Sequence, residues 1–274
     1  DISNWDTSSV TKMKFMFWES SFNGDISRWD VSSVVSFQGM FRGAPLPPSY
    51  NLSLWDTSSV TSMVQMFYDT DFNGDISRWD VSSVTNMNSI FMYSKFNQNI
   101  SSWDVSSVTN FQQMFRQNHD FSGDLSKWDT SSATSMQSMF QSTSGNFGDL
   151  SKWDVSKVKN FQSMFQSTTE HFGDISEWDV SQATNVKNMF QDSSFGPNIS
   201  NWNLASVPSD KWANMFESAS GFSECMKKSI YDSWNDRLQP PWSKMGGDFD
   251  SASCASPPLL PPPLSPSPLL PPPF

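Results

Sequence analysis

The segment Asp25-Ile26-Ser27-Arg28-Trp29-Asp30-Val31-Ser32-Ser33-Val34 recurs along its chain, with its tryptophan at positions 5, 29, 55, 79, 103, 128, 153, 178 and 202. Nine copies at intervals of 24–26 residues constrain the fold more than any other feature. A repeat of that length is one supersecondary unit that cannot bury its apolar side alone, so it is stable only when stacked on its neighbours. A second marker, Met-Phe, begins eleven residues after the tryptophan at Met16, Met40, Met66, Met114, Met139, Met164 and Met189. Ile90 replaces the methionine once, and Met215 is displaced by an insertion around Pro208.

The spacing within a repeat predicts its parts. Trp29 and Val31 alternate with Arg28 and Asp30, the period of a short strand with tryptophan and valine inward and the charged pair outward. After Ser32 or Ser33, either a good helix N-cap, the apolar positions Val34, Phe37, Met40 and Phe41 fall on one face of two helical turns. A closing phenylalanine, at 22, 72, 96, 121, 147, 172 and 195, precedes a turn usually built from Asn and Gly. The expected fold is therefore an α/β solenoid over residues 1–222, a leucine-rich-repeat-like stack of nine strand–short-helix repeats with a parallel sheet. Hydrophobic residues make up only 36% of the chain, but 13 Trp and 23 Phe supply an aromatic core.

The pattern Asp-Ile-Ser-x-Trp-Asp-Val-Ser-Ser-Val-Thr-x-Met-x-x-Met-Phe resembles the BspA-like leucine-rich repeats, in particular the variant first noted in mycoplasma surface lipoproteins and common in algae and protists. The resemblance covers about residues 1–222. It implies an extracellular or surface-attached protein used in adhesion or scaffolding, and it carries no catalytic residues to transfer.

Beyond the repeats, residues 223–254 hold Trp234 and Trp242 and both cysteines of the chain, Cys225 and Cys254. A stack needs a cap over its last apolar face, and this segment is the expected C-terminal cap. Two solitary cysteines in an acidic chain rich in Ser and Asn point to one disulfide and an oxidising compartment rather than to a metal site. The tail, residues 255–274, is Pro, Leu and Ser from 256 to 273, a composition that favours extended polyproline II. This tail resembles the hydroxyproline-rich glycoproteins of algal and plant walls, which implies hydroxylation and O-glycosylation at Pro257, Pro258, Pro261, Pro262, Pro263, Pro266, Pro268, Pro271, Pro272 and Pro273. At the other end the chain opens inside a repeat at Asp1, as a mature or trimmed product would, and the Trp5 layer is expected to present an apolar edge.

Net charge is -11, with 17 Lys and Arg scattered along the chain, so nucleic acid is an unsuitable partner. No run of about 18 apolar residues exists to span a membrane. The outward aspartates Asp6, Asp30, Asp56, Asp80, Asp104, Asp129, Asp154 and Asp179 form a column ending in Asn203, at a rise of about 4.8 Å if the repeats pair like strands. Two readings are open for it. Each Asp accepts from the backbone amides of the next turn, as an Asx turn leading into the helix, or neighbouring carboxylates at Asp30, Asp56, Asp80, Asp104, Asp129 and Asp154 bridge calcium, the one cofactor considered.

The adjacent column, Asn4, Arg28, Leu54, Arg78, Ser102, Lys127, Lys152, Glu177 and Asn201, varies where the aspartates do not. It either offsets the acidic column or forms a ligand face. Three N-glycosylation sequons begin at Asn51, Asn99 and Asn198, in the column otherwise held by Asp25, Asp75, Asp124, Asp149 and Asp174. Any Asn in that column creates a sequon automatically, because Ser follows two residues later. His119 and His171 sit in variable loops without a paired nucleophile and read as surface residues.

Together these features lead to the expectation of a non-catalytic extracellular structural glycoprotein of the cell surface or wall, a subunit of a fibre, sheath or wall that assembles head to tail with copies of itself and carries covalent glycans. The alternative is an adhesion or recognition module that binds protein or glycan on its concave face. A glycan-acting enzyme is a distant third, since a motif made nine times over is architecture before it is an active site.

Overall fold

The computed structural model of the protein describes residues 1–246; Cys254 and the proline-rich segment 255–274 lie outside the described residues. Up to Pro208 the described backbone contains no helix and no extended strand. The expected leucine-rich-repeat α/β solenoid, with its parallel sheet and short helices, is therefore incorrect. Each repeat is a coil of hydrogen-bonded turns, joined to the next coil by a ladder of backbone hydrogen bonds.

The second repeat shows why. The amides of Phe37, Gly39, Phe41 and Gly43 donate sideways to the carbonyls of Ser62, Val64, Met66 and Tyr68 in the next coil, at 3.1, 2.7, 3.1 and 2.8 Å. The intervening amides of Met40, Arg42 and Ala44 donate back three residues to Phe37, Gly39 and Phe41, at 3.0, 3.2 and 2.9 Å. Alternate amides thus serve the ladder and the turns, and each finds a partner as buried backbone must. An α-helix needs bonds four residues back and a right-handed backbone throughout. Here every fourth residue is left-handed, with φ of 60° and 66° at Gly39 and Gly43 and of 58° and 54° at Gln113 and Gln117. A left-handed third residue makes the turn type II and forbids the helix.

The strand expectation fails for a related reason. Trp29 and Val31 are buried and Arg28 and Asp30 exposed, as their alternation predicts. Yet Trp29 closes a turn on Ile26 at 3.1 Å and Val34 closes one on Val31 at 2.8 Å. These bends leave no extended run to pair. Parallel pairing survives only as isolated bridges, one between each coil and the next, from Lys12 with Ser36 through to Asn160 with Asn185.

Aromatic columns hold the stack together. Phe17, Phe41, Phe67, Phe91, Phe115, Phe140, Phe165, Phe190 and Phe216 follow one another with ring centroids 5.7–6.2 Å apart. Beside them, the indole N–H of each buried repeat tryptophan donates to the backbone of the preceding coil, as Trp79 does to Leu52 at 3.0 Å and Trp103 to Ile76 at 3.1 Å. The polar atom of a large apolar side chain is thereby satisfied without breaking the core.

Two helices follow the coils, α1 at Glu224–Arg237 and α2 at Trp242–Met245. Ser223 caps α1 by accepting from the Met226 amide at 3.2 Å. From α1 the fully buried Trp234 packs edge-on against Trp212 at 5.8 Å and lies 6.2 Å from Phe216. Lys244 and Met245 then offer their carbonyls to Asn214 and Phe216 at 2.7 and 2.8 Å, taking the place of a further coil. The ladder ends covered rather than open on this side.

Candidate functional site

Each coil begins and continues with an acidic or amide side chain two residues ahead of a serine, or of Ala205 in the last coil, and the structure gives both positions the same task. Asp30 Oδ1 accepts from the Ser32 amide at 3.0 Å and from the Ser32 hydroxyl at 2.6 Å. Asp6, Asp56, Asp80 and Asp104 repeat the pair of bonds, and Asp129, Asp154 and Asp179 repeat the amide bond. These are Asx turns within the coil itself, so the capping reading describes the geometry, without the helix it was expected to start. Asp30, Asp56, Asp80, Asp104, Asp129 and Asp154 are all exposed. Among the described residues no group of three His, Cys, Asp or Glu side chains is placed to hold a metal ion.

The same bonds hold most of these carboxyls below the ordinary aspartate value. At Asp30, Asp56, Asp80, Asp129 and Asp154 the serine hydroxyl is the largest cause and the serine amide the next; burial opposes both. A depressed carboxyl pKa stabilises the fold above the unfolded pKa, and that stability is lost as pH falls through the folded value. Thermal melts are therefore expected to give a midpoint that is flat above about pH 5 and falls progressively below about pH 4. A midpoint that rose on acidification would show that repulsion along the column outweighs the caps.

The sequon column opens each coil. Asn51 Oδ1 accepts from the Ser53 amide at 3.1 Å and its hydroxyl at 2.8 Å, and Asn99 and Asn198 accept from Ser101 and Ser200 at 3.0 and 3.2 Å. All three asparagines are exposed. Since the oxygen makes the turn, the amide nitrogen, the atom a glycan would join, makes no hydrogen bond among the described residues. In the variable column, Arg28, Arg78, Lys127 and Lys152 come within ion-pairing distance of no acidic group among the described residues. His119 and His171 are exposed, and His171 meets Phe195 edge-on at 6.2 Å.

Sequence reasoning passed over the outer side of the turn ladder, where the coils differ most. Along one column, Trp18, Arg42 and Tyr68 lie in succession, with the Arg42 guanidinium 5.6 Å from the Trp18 ring and 4.6 Å from the Tyr68 ring. Arg42 Nη1 also donates to Gln65 Oε1 at 2.9 Å. Further along, the column becomes an amide ladder, Gln141 to Gln166 to Gln191 to Glu217, at 2.8–2.9 Å. The signal was present in the residue after each Met-Phe, which changes from aromatic and cationic to amide along the chain.

The family described as "Mycoplasma protein of unknown function, DUF285" matches three overlapping stretches, residues 1–91, 47–147 and 143–238. The chain belongs to this family. Membership agrees with the resemblance to the mycoplasma-type repeats carried by the Asp-Ile-Ser-x-Trp-Asp-Val pattern, and the three matches run through the coils into α1. No curated protein matches the chain, and no solved structure does. The family brings a repeat architecture with no activity attached. No helix among the described residues is long and apolar enough to cross a membrane.

Proposed function

We propose that the chain is a non-catalytic extracellular structural glycoprotein, a subunit of a sheath, wall or fibre. The observation that supports this most directly is that Cys225 is disulfide-bonded, a state that persists in oxidising compartments and is rare in reducing ones. Cys254 is the only other cysteine in the chain and is the proposed partner. On the chain-entropy relation a bridge across that segment contributes about 3.5 kcal/mol. A thiol assay on unfolded, unreduced protein is expected to find no reactive thiol; two would overturn the extracellular reading.

The repeated polar side chains support the non-catalytic part. Asp, Ser and Asn of each coil close turns, and the tryptophan N–H groups bind backbone, so the repeated motif is occupied in building coils. Glycans are proposed at Asn51, Asn99 and Asn198 and on the prolines of residues 257–273, the latter by likeness to wall glycoproteins. Asn51→Asp provides a test, because Asp is the usual occupant of that column and preserves the turn. Native material carrying the substitution is expected to lose the mass of one N-glycan while its melting midpoint stays within about 2 °C. An unchanged mass for all three corresponding variants would remove the N-glycan proposal. A sizing run tests assembly, since fibres elute in the void volume and single subunits do not.

A second reading, a recognition module, is favoured by the Trp18–Arg42–Tyr68 column. Trp, Tyr and Arg are the residues that dominate binding hot spots, and they gather on the coils that depart most from the repeat.

A further inference from the structure

In a stacked array, the positions shared by all coils build the stack, so a function particular to this chain is sought where several departures meet. One such place is a cleft of about 290 Å³ on the outer side of the second to fourth coils, lined by Gly43, Pro45, Asp69, Asp71, Tyr93 and Lys95 among others. We infer that this cleft binds a single uncharged sugar ring, stacked on Tyr93 and hydrogen-bonded by Asp69. The inference rests on the recognition reading, and it does not depend on the disulfide or on the chain's own glycans.

Tyr93 is the one aromatic residue in its column, which otherwise reads Glu19, Gly43, Asp69, Gln117, Ser142, Ser167, Asp192 and Ser218. Its backbone is left-handed, with φ of 60°, a conformation unfavourable to a bulky side chain by about 1–2 kcal/mol. Despite that cost the ring is not used in the core, for Tyr93 remains 40% exposed. Tyr68 meets its edge at 5.5 Å and 74°, and the Arg42 guanidinium stacks on Tyr68 in turn. The ring is thus held by a fixed platform, and a preorganised aromatic loses little freedom when a ligand settles on it.

The polar groups choose the class of ligand. Lys95 and Asp71 satisfy one another at 3.0 Å. The Asp69 carboxylate makes no hydrogen bond or ion pair among the described residues, so its acceptor oxygens are available to donors from a ligand. With two carboxylates against one ammonium the cleft repels phosphate, sulfate and carboxylate groups. A sugar ring presents an apolar C–H face to an aromatic and hydroxyl donors to a carboxylate, which matches this lining. The volume falls just below the roughly 300–1,000 Å³ range of small-molecule clefts, the size of one ring rather than a chain.

Gly43 contributes by having no side chain. The proline-rich turn Pro45-Leu46-Pro47-Pro48 beside it occurs in this coil alone, and a Cβ at Gly43 would come 3.1 Å from Glu19.

The test is saturation-transfer NMR on the full chain with methyl glycosides of glucose, galactose and mannose, beside glucose 6-sulfate and a trimethyllysine peptide. At least one methyl glycoside is expected to show saturation transfer, and Tyr93→Ser and Asp69→Asn are each expected to weaken it at least tenfold. Ser occupies the same column at 142, 167 and 218, so the first variant is compatible with the coil; an unchanged melting midpoint for both variants confirms folding. Absence of transfer from all three glycosides, transfer undiminished in both variants, or transfer from the trimethyllysine peptide or the sulfated sugar alone would each overturn the inference. None of these outcomes bears on the thiol assay, so the structural-glycoprotein reading is judged separately.

Discussion

Trp79→Ala is expected to lower the unfolding free energy by about 3–5 kcal/mol. Trp79 is 3% exposed, stacks on Trp55 at 6.3 Å and packs against Phe67 at 6.0 Å. Its removal leaves a void in the middle of a structure whose stability is carried by contacts between neighbouring coils. Trp79→Phe separates the contributions: much of the apolar area stays, but the Leu52 carbonyl loses the indole N–H that donates to it at 3.0 Å, a loss of about 1–3 kcal/mol for a buried group. Leu54→Ser, at a side chain 78% exposed, serves as control and should stay within about 0.5 kcal/mol. Urea unfolding followed by tryptophan fluorescence reads all three. The alanine variant should also broaden the transition, because a weakened central interface lets the two sides unfold separately. A Trp79→Ala variant within 1 kcal/mol of the parent, sharing its cooperativity, would be incompatible with the stacked core.

The inward side of that core was legible in the sequence, and its backbone was not. The spacing of Trp29, Val31, Val34, Phe37, Met40 and Phe41 identified the buried residues, all 4% exposed or less. It could not identify the conformation that buries them. A ribbon of turns with a left-handed residue every fourth position returns its side chains to one side at the three- and four-residue spacing of a helix, so Phe37, Met40 and Phe41 fit both. What separates the two is the residue at the left-handed positions, where glycine would be diagnostic. Only the second coil has it, at Gly39 and Gly43; other coils place Phe15, Gln65, Tyr93 and Gln117 there. These residues tolerate the conformation because their amides join the inter-coil ladder, as Gln117 does with Gln141 at 2.9 Å. That interaction is long-range and leaves no local trace.

The candidate sites divide along the same line. Asp and Asn two residues before Ser is a local pattern, and its capping role could be read directly from it. The cleft at Tyr93 needs three coils to meet, with Gly43, Asp69 and Lys95 each contributed by a different repeat. Nothing in one repeat announces it.

Substitution at a left-handed position tests the ladder against the helix. Ser142 has φ of 56° and is the third residue of the turn closed by Thr143 on the Phe140 carbonyl at 3.3 Å, while its own amide donates to Gln166 of the next coil at 2.9 Å. Glycine is the preferred residue at the third position of a type II turn, so Ser142→Gly is expected to raise stability by about 0.5–1 kcal/mol as the left-handed penalty is relieved. In a helix the same change would lower it by a similar amount. Ser142→Pro should act in the opposite sense and more strongly. Proline fixes φ near −65° and removes the amide that reaches Gln166, and the combined loss is expected to reach about 3 kcal/mol or more. Because the bond it breaks joins two coils, the damage should extend beyond one repeat, lowering amide exchange protection in the neighbouring coils as well as at residue 142. If glycine destabilised the protein, or if proline left the ladder amides of the adjacent coils as protected as before, the alternation of sideways and turn-closing hydrogen bonds would not be what holds the coils together.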